Sequence, residues 1–283
     1  EFKDVIRGSI SFDTTLFGDF PIAKNTETPL FHFAVVVDDH LMEISHVIRG
    51  EDHIPNTPKQ MLIGKALGFS EPLYAHLPLV LGQSREKLSK RYLSVSLTDY
   101  KNMGYLSEAV INFTSFLGWH PKENEEILTP EEIIKRFDLK RVQKGGAIFN
   151  EEKLLWLNAQ HIHRLTPEDL EKKLRSFIVA RGPMSIPSET FHRLVTLEQP
   201  RMKTLNDFFE ATDFFFSIEN YSASLLISKN QTKENTLEVL RALKTSLSEV
   251  PNTFDRSIFT LKIEPLVERW GRGGVLWPLR VAV

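Results

Sequence analysis

A run of five residues, Lys87-Leu88-Ser89-Lys90-Arg91, carries the clearest chemical signal in the sequence. It places three cationic side chains on a hydrophilic loop that starts at Gly82 and follows the apolar stretch Leu79-Val80-Leu81. Compact ammonium groups at this spacing suit a polyphosphate, because they neutralise negative charge that shifts between phosphates during group transfer. Charge runs are also common on solvated surfaces. The pattern alone leaves a polyphosphate site and an ordinary surface loop as alternatives.

Arg49 is a second candidate, because it lies at the end of Ile44–Ile48, which has the pattern of a strand. A guanidinium in that position suits bidentate binding of a carboxylate. A salt bridge to Glu51 or Asp52 explains the same arginine equally well. The sequence therefore leaves an anion site and a structural ion pair as alternatives.

Histidines beside other ligand types occur at two places, but neither pattern favours a metal site. Glu51-Asp52-His53 has one histidine with adjacent acids, and no second ligand set follows at helical spacing. His161-Ile162-His163 is interpreted as a surface pair. Because the sequence also lacks cysteine, we predict no metal-ligating residue and no protein-bound zinc.

The elements around Arg49 are those of half of a parallel α/β unit. The predicted strand runs into a polar loop, Arg49–His53, and Asn56-Thr57-Pro58 starts a helix that Gly68 ends. Ligands of open α/β sheets bind beyond the carboxyl ends of the strands, where this polar loop is expected. Val5–Phe12 predicts a further strand near the start of the chain.

The segment Phe31–Val37 has two interpretations. Its three consecutive valines favour a strand, whereas Phe31 and Val35 at positions i and i+4 suit one face of a helix. Thr28-Pro29 is a helix-start signature, in which a capping hydroxyl precedes a proline at the first helical position. We therefore predict a helix, with Asp38-Asp39 in its last turn.

From Leu106 onward the pattern is helical. Ser107 is expected to cap a helix that Gly118 ends, and Thr129 and Thr166 each precede proline and acidic residues as helix caps do. Further helices are predicted over Leu205–Phe216, Asn235–Leu247 and Ile258–Trp270, with the aromatic side chains of Phe208-Phe209 and Phe214-Phe215-Phe216 in the core. Because no strand pattern recurs after about residue 160, the fold class is an incomplete α/β region followed by an all-α region.

Composition limits the remaining possibilities. The chain has 283 residues, of which 41% are hydrophobic and 25% charged, and this size fits about two globular domains. No apolar run reaches the length of about 18 residues that a membrane span requires. The formal net charge of −2 gives no global attraction to nucleic acid, so local patches would have to bind it. The chain starts at Glu1 and ends in an apolar run, and we expect it to be a piece of a longer protein.

Taken together and in order, several segments resemble one family, the bacterial-type glutamyl-tRNA synthetases, which are class I aminoacyl-tRNA synthetases. The resemblance is dense from residue 1 to about residue 160 and looser afterwards. The segments that carry it are Pro29–Asp39, His46–His53, Asn56–Gln60, Ala75–Pro78, Lys87–Arg91, Gly104–Leu106, Leu117–Trp119, Lys153–Asn158 and Leu276–Arg280.

The resemblance implies roles for individual residues. Lys87, Leu88, Ser89, Lys90 and Arg91 correspond to the second class I signature loop, which closes over ATP, and Lys90 would meet the phosphates. Arg49 would hold the side-chain carboxylate of glutamate, and Phe31 and Val35 fall where the family contacts the amino acid. Asp52, His53 and Val80 match positions near ATP. Phe31 replaces a tyrosine that is usual in the family, and Tyr92-Leu93 replaces His-Gly.

The resemblance also implies a domain plan. Residues 1–81 would be the C-terminal part of a Rossmann-like catalytic domain, residues 82–160 would hold the lysine loop and the stem-contact region, and residues 161–283 would form an all-α anticodon-binding region truncated at its C-terminus. The first class I signature, a His-Ile-Gly-His-like element, does not occur in the sequence. We therefore expect the N-terminal part of the catalytic domain to lie outside this chain.

The function implied by the resemblance is that of a glutamate–tRNA ligase. Its substrates would be L-glutamate, ATP with Mg²⁺ and tRNA(Glu), and the complete protein would be a cytoplasmic monomer without membrane contact. The helical second region argues against glutaminyl-tRNA synthetase, which uses a β-barrel there, and against the short paralogue that lacks it. The alternative is a non-catalytic tRNA-binding or interaction module, because the chain alone is expected to be inactive.

Overall fold

The computed structural model describes residues 1–86, 96–179, 187–213, 221–229, 231–248 and 256–282. The chain forms two compact units, Glu1–Glu210 and Ala211–Val283. The predicted lysine loop from Lys87 to Arg91, the Tyr92-Leu93 pair and Phe214–Phe216 lie outside the described residues.

The described strands share one main sheet and two short pairs. In chain order they are β1 (Phe2–Asp4), β2 (Gly8–Ile10), β3 (Ala23–Asn25), β4 (Thr28–Pro29), β5 (His46–Gly50), β6 (Leu73–Leu77), β7 (Val80–Leu81) and β8 (Ala147–Ile148). The four-stranded sheet has the order β2-β1-β6-β5, in which β1 and β2 are antiparallel and the neighbours β1–β6 and β6–β5 are parallel. Strand β3 pairs with β4, and β7 pairs with β8.

The start of the chain corrects one sequence prediction. Val5–Phe12 is not a single strand, because the chain turns between β1 and β2. The side chain of Asp4 accepts the backbone N–H of Ile6 at 2.9 Å and of Arg7 at 2.8 Å, and Gly8 has a φ of 86° that favours glycine. A buried polar side chain therefore creates the turn that the apolar pattern did not reveal.

The described helices of the first unit occupy most of its length. They are α1 (Phe31–Leu41), α2 (Thr57–Leu67), α3 (Leu97–Asn102), α4 (Ser107–Phe116), α5 (Pro130–Arg136), α6 (Glu151–Arg164), α7 (Pro167–Val179), α8 (Ser188–Glu198) and α9 (Asn206–Thr212), the last of which continues past Glu210. A 3-10 helix, Glu51–Asn56, connects β5 to α2, and α2 leads to β6. This crossover makes β5 and β6 parallel neighbours, and it confirms the predicted strand, loop and helix, which are half of an α/β unit.

The helix starts confirm some caps and correct others. Helix α2 has Pro58 in its first turn and ends at Gly68 in the left-handed conformation, as predicted. Thr129 forms a complete capping box at the start of α5. The helix predicted after Thr28 is present as α1, but Leu30 precedes it without a side-chain cap and Thr28 lies in β4. Ser107 does not cap α4 either, since its hydroxyl bonds the carboxylate of Glu108.

The helices of the first unit share a continuous buried core. Its members come from α4, α6, α7, α8 and α9 and from the segments that join them: Leu106, Ala109, Ile162, Leu170, Leu174, Phe191, Leu194, Val195, Met202, Leu205 and Phe208. The core position expected for Phe208 is therefore confirmed. Helix α6 runs through residue 160, so packing does not separate the chain there. The division into residues 1–81, 82–160 and 161–283 stays a prediction about function.

The second unit is helical in its described residues. It contains α10 (Lys233–Ser248), α11 (Arg256–Trp270) and α12 (Arg272–Ala282), which pack around Val239, Leu243, Ile263 and Val275. None of the described helices in either unit combines the length and the apolar character that a membrane-spanning segment requires.

Gly104 provides a test of the packing between the α3–α4 connection and the start of α9. Its φ is 83°, and a Cβ atom there would lie 2.8 Å from the backbone nitrogen atoms of Leu205 and Asn206. We expect Gly104→Ala to lower the free energy of unfolding by about 2–5 kcal/mol, from left-handed strain and overpacking together. Gly8→Ala is the control, since Gly8 has a φ of 86° but open space around it.

The measurement for both glycine variants is urea unfolding of the chain followed by fluorescence. Gly8→Ala should lower the free energy of unfolding by only about 1–2 kcal/mol, because it adds the left-handed backbone strain without overpacking. Equal losses in the two variants would contradict the close backbone approach at Gly104.

Candidate functional site

The predicted site residues that the structure describes lie on four elements. Phe31 and Val35 are on α1, Arg49 is on β5, Asp52 and His53 are in the 3-10 helix Glu51–Asn56, and Val80 is on β7. The rings of Phe31 and His53 approach to 6.1 Å between centroids, so the start of α1 meets the carboxyl end of β5. Val80 belongs to the separate β7–β8 pair.

Arg49 is half-buried, and three uncharged groups accept its hydrogen bonds. Its Nη2 donates to Thr57 Oγ1 at 2.8 Å and to Gln60 Oε1 at 2.7 Å, and its Nε donates to His76 Nε2 at 3.2 Å. Thr57 and Gln60 come from α2 and His76 comes from β6, so the β5-α2-β6 crossover itself builds this cradle. Within the described residues, these three bonds leave the two N–H groups of Nη1 as the donors for a ligand.

The alternative prediction, a salt bridge between Arg49 and Glu51, is wrong. The carboxylate of Glu51 pairs with Arg7 at 2.7 Å and also accepts the backbone N–H of Leu79 at 3.0 Å. Glu51 therefore connects the turn after β1 to the segment before β7. Asp52 is exposed in the 3-10 helix that follows Glu51.

Behind Arg49 lies a buried acid–imidazole pair. The Nδ1–H of His76 donates to Asp4 Oδ2 at 2.6 Å, and both side chains are 0% exposed. The backbone N–H of His76 also bonds the Asp4 carboxylate, at 3.1 Å. Asp4 thus fixes both the main chain and the ring of His76, and through His76 it reaches Arg49.

The surroundings shift the pKa values of all three groups. Burial lowers the pKa of His76 below its ordinary value of 6.5, and the bond and charge of Asp4 oppose this without cancelling it. Burial alone would raise the pKa of Asp4, but hydrogen bonds from the backbone of Arg7, from His76 and from the backbone of Ile6 bring it below its ordinary value. Burial also lowers the pKa of Arg49. A neutral imidazole therefore stands between a carboxylate and a guanidinium.

Sequence reasoning gave no role to the residues that hold Arg49. The segments that carry the family resemblance include Thr57, Gln60 and His76. The resemblance could therefore have indicated these three residues as part of the site. Asp4 had no such signal, because it precedes His76 by 72 residues and only the parallel pairing of β1 with β6 brings them together.

A cleft of about 1230 Å³ also lies in the first unit, between α1, α2 and the sheet. Its lining includes Ile44, Ser45 and Pro72, which precede β5 and β6, so it reaches the amino ends of these strands. The predicted site residues are not among its lining residues. Gln60, which accepts a hydrogen bond from Arg49, does line the cleft, so the cleft adjoins the cradle of Arg49.

The histidine pair on α6 differs from its sequence interpretation. His161 is only 9% exposed and bonds Asn112 Oδ1 at 3.0 Å, while His163 bonds the backbone oxygen of Met202 at 3.0 Å. His161 therefore connects α6 to α4 and is not a surface residue, and His163 connects α6 to the segment between α8 and α9. Among the described residues, no group of three or more His, Cys, Asp or Glu side chains is arranged to hold a metal ion.

The fold and the site define an α/β protein that presents a cationic ligand site at the carboxyl end of a parallel strand and continues into helices. Comparison with known families gives the particular class. Residues 1–156 match the model described as tRNA synthetases class I (E and Q), catalytic domain, and residues 164–283 match the model described as anticodon binding domain. The chain belongs to the class I tRNA synthetases of this glutamate and glutamine group.

Individual relatives agree with this family. The chain is 42% identical over 272 residues to a glutamate–tRNA ligase of Dehalococcoides mccartyi, covering 94% of this chain and 55% of the relative. It is 39% identical over 284 residues to a glutamate–tRNA ligase of Sulfurihydrogenibium, covering 100% and 59%. A crystal structure of a glutamate tRNA ligase from Elizabethkingia meningosepticum in complex with its amino acid matches with a TM-score of 0.85 and 31% identity, over 99% of this chain and 59% of that one. The chain thus spans a little over half the length of the curated relatives it matches.

The buried pair predicts a pH dependence of stability. Because the folded pKa of His76 lies below the unfolded value of 6.5, the unfolded chain binds a proton first as the pH falls. The free energy of unfolding should therefore decrease as the pH falls from about 6.5 towards the folded pKa of His76. Asp4 contributes stability above its unfolded value of 3.8 and loses it at still lower pH.

Urea unfolding at several pH values, followed by the fluorescence of tryptophan, measures this dependence. His76→Asn should reduce the slope between about pH 7 and pH 5, to which His161 also contributes because burial lowers its pKa, whereas His46→Asn, at an exposed position of β5, should keep it. An unchanged slope in His76→Asn would show that another group causes the acid sensitivity.

Proposed function

We propose that this chain carries the glutamate-selecting and ATP-closing parts of a glutamate–tRNA ligase, together with its anticodon-binding region. The observation that supports this most directly is the cradle of Arg49. A half-buried guanidinium whose bonds go to uncharged acceptors keeps its positive charge available to a carboxylate. Glutamine has no such charge, so this arginine favours glutamate over its amide.

The proposed reaction has two steps. A carboxylate oxygen of glutamate attacks the α-phosphorus of ATP, which forms glutamyl-adenylate and releases pyrophosphate. A ribose hydroxyl at the 3′ end of the tRNA then attacks the activated carbonyl and releases AMP. Mg²⁺ enters as part of the ATP substrate, held largely by its phosphates. The protein contributes positioning and charge stabilisation.

Other site residues take the roles that the family resemblance gives them. Phe31 and Val35 would contact the amino acid, and Asp52, His53 and Val80 would lie near ATP. The proximity of Phe31 to His53 supports a shared border between these two subsites. Lys87, Leu88, Ser89, Lys90 and Arg91 would close over the phosphates. Residues 1–81, 82–160 and 161–283 would correspond to catalytic, stem-contact and anticodon-binding parts.

The complete reaction is proposed for a polypeptide of the relatives' length that includes this chain. Such a protein would use tRNA(Glu), L-glutamate and ATP, and it would act as a monomer in the cytoplasm. This chain alone, at 55% to 59% of the relatives' length, is proposed to be inactive in adenylate formation.

A non-catalytic tRNA-binding module is the second candidate. It is favoured by the described edge of the sheet, where β5 exposes Ile48 to 50%, and by Leu41 and Met42 at the end of α1, which are 73% and 70% exposed. Apolar surface of this kind suits a binding partner. Glutamate-dependent exchange of pyrophosphate into ATP by the full-length polypeptide distinguishes the candidates, because a module would have none.

Arg49 is expected to select glutamate. In the full-length polypeptide, Arg49→Gln should raise the KM for glutamate by about 10-fold to 100-fold or more and reduce discrimination against glutamine, with little change in the KM for ATP. Arg49→Lys is the matched control, since it keeps the charge but not the three donors of the cradle, and it should give an intermediate KM. Steady-state exchange with both amino acids is the measurement. An unchanged glutamate KM in Arg49→Gln would reduce Arg49 to a structural role.

Lys90 is expected to act on the phosphates. Lys90→Ala should slow glutamyl-adenylate formation by about 100-fold to 1,000-fold while glutamate binding stays close to normal, because one donor to developing charge is lost. Lys101→Ala, at an exposed position of α3, is the control and should keep its rate. Pyrophosphate exchange at the wild-type rate in Lys90→Ala would contradict this assignment.

A further inference from the structure

Three residues from three neighbouring strands form a continuous chain of hydrogen bonds that ends at the candidate site. Asp4 on β1 accepts the Nδ1–H of His76 on β6 at 2.6 Å, and His76 Nε2 accepts the Nε–H of Arg49 on β5 at 3.2 Å. The imidazole is completely buried, so it does not touch a substrate directly. Among the described residues, its charged contact on the side of the site is the guanidinium of Arg49.

The partners of the ring determine its tautomer. Asp4 Oδ2 accepts a hydrogen bond and cannot donate one as a carboxylate, so Nδ1 carries the proton. Nε2 then holds a lone pair, which is the acceptor that Arg49 Nε requires. Thr57 Oγ1 lies 3.2 Å from the same Nε2 but donates its own proton to the backbone oxygen of His53, also at 3.2 Å. The neutral Nδ1–H ring therefore satisfies every bond around it.

Protonation of His76 would remove the acceptor that Arg49 uses. The new Nε2–H would point at the Nε–H donor or turn towards Thr57 Oγ1, which already accepts from Arg49 Nη2. Two positive charges would also face each other across 3.2 Å in a buried place. Arg49 would then lose one of its three hydrogen bonds, and its guanidinium would no longer be held in the orientation that directs Nη1 towards the ligand.

The groups that face the ring come from every strand and helix around it. Asp4 on β1 favours protonation, whereas Arg49 on β5 and His53 in the 3-10 helix oppose it. Tyr74, two residues before His76 on β6, stacks on the imidazole ring with 6.2 Å between the ring centroids. Burial raises the pKa of its hydroxyl to about 12, so Tyr74 stays uncharged. Arg7 contacts the backbone oxygen of His76 at 3.2 Å and adds a further positive charge nearby.

We propose that His76 is a positioning residue for glutamate capture, which orients the Arg49 guanidinium as a neutral Nδ1–H imidazole and releases it when protonated. This inference rests on the proposed function, in which Arg49 binds the side-chain carboxylate of glutamate. It adds that glutamate binding is pH-sensitive through a residue that glutamate never touches.

A purely structural role makes a different prediction. If His76 served only to join β6 to Asp4, the bond from its Nδ1 position would matter most. Asparagine can place an N–H donor near the Nδ1 position, and glutamine can place a carbonyl oxygen near the Nε2 position. His76→Asn therefore keeps the Asp4 bond and loses the Arg49 acceptor, whereas His76→Gln does the reverse. The structural role favours the asparagine variant, and the positioning role favours the glutamine variant.

The test measures the KM for glutamate and the KM for ATP by pyrophosphate exchange in the full-length polypeptide that contains this chain. We expect His76→Asn to raise the glutamate KM by about tenfold or more with the ATP KM unchanged, and His76→Gln to stay within about threefold of wild type. In the wild type, the glutamate KM should rise as the pH falls through the protonation midpoint of His76. His76→Gln should not show this rise.

Imidazole ¹⁵N spectra of the wild-type polypeptide supply the midpoint and the tautomer independently of activity. The proposal is supported if the ring is the neutral Nδ1–H form and its protonation midpoint coincides with the midpoint of the glutamate KM profile. It is overturned if His76→Asn is tolerated as well as or better than His76→Gln, or if the two midpoints differ.

Arg49→Gln separates this inference from the proposed function. If Arg49→Gln raises the glutamate KM and His76→Asn does not, the inference is wrong and the role of Arg49 stands. If Arg49→Gln leaves the glutamate KM unchanged, the proposed role of Arg49 fails, and the inference that rests on it is overturned with it, even where the spectra show the Nδ1–H ring.

Discussion

The buried carboxylate of Asp4 is the constraint on which the rest of the first unit depends. A charged group that is withdrawn from water must be compensated by hydrogen bonds, because an uncompensated one costs several kcal/mol or more. Asp4 receives them from the backbone of Ile6, Arg7 and His76 and from the imidazole of His76. Satisfying one side chain thus turns the β1–β2 hairpin, holds β6 beside β1 and fixes the orientation of the ring that meets Arg49.

The arrangement solves a problem that any carboxylate-binding arginine presents. A half-buried guanidinium bonded to an acid of its own protein would be neutralised before a substrate arrived. Here the acid, Asp4, does not touch Arg49, because the neutral ring of His76 lies between the two side chains. Glu51, the nearest acid in sequence, is occupied by Arg7 and by the backbone of Leu79. The positive charge therefore remains for the ligand, while its position is fixed from behind.

The sequence predicted those elements that local chemistry determines. The strand, polar loop and helix α2 followed from Pro58, Gly68 and the residues after β5, and the structure confirms them, whereas β6 was not predicted. The caps expected at Thr28 and Ser107 were wrong, because Thr28 lies in strand β4 and the hydroxyl of Ser107 bonds Glu108 instead. Of the site, Arg49 could be predicted from its place at the end of a strand, but its cradle could not. The cradle residues lie 8, 11 and 27 positions after Arg49, on α2 and β6, and Asp4 lies 72 positions before His76, so no local pattern encodes their meeting.

A crystal structure of the full-length polypeptide with L-glutamate bound would test the central claim most directly. The account predicts a side-chain carboxylate oxygen of glutamate about 2.7–2.9 Å from Arg49 Nη1, while Nε still bonds His76 and Nη2 still bonds Thr57 and Gln60. The result that would contradict it is a glutamate side chain bound away from Arg49, or an Arg49 that leaves His76 and turns to a carboxylate of its own chain.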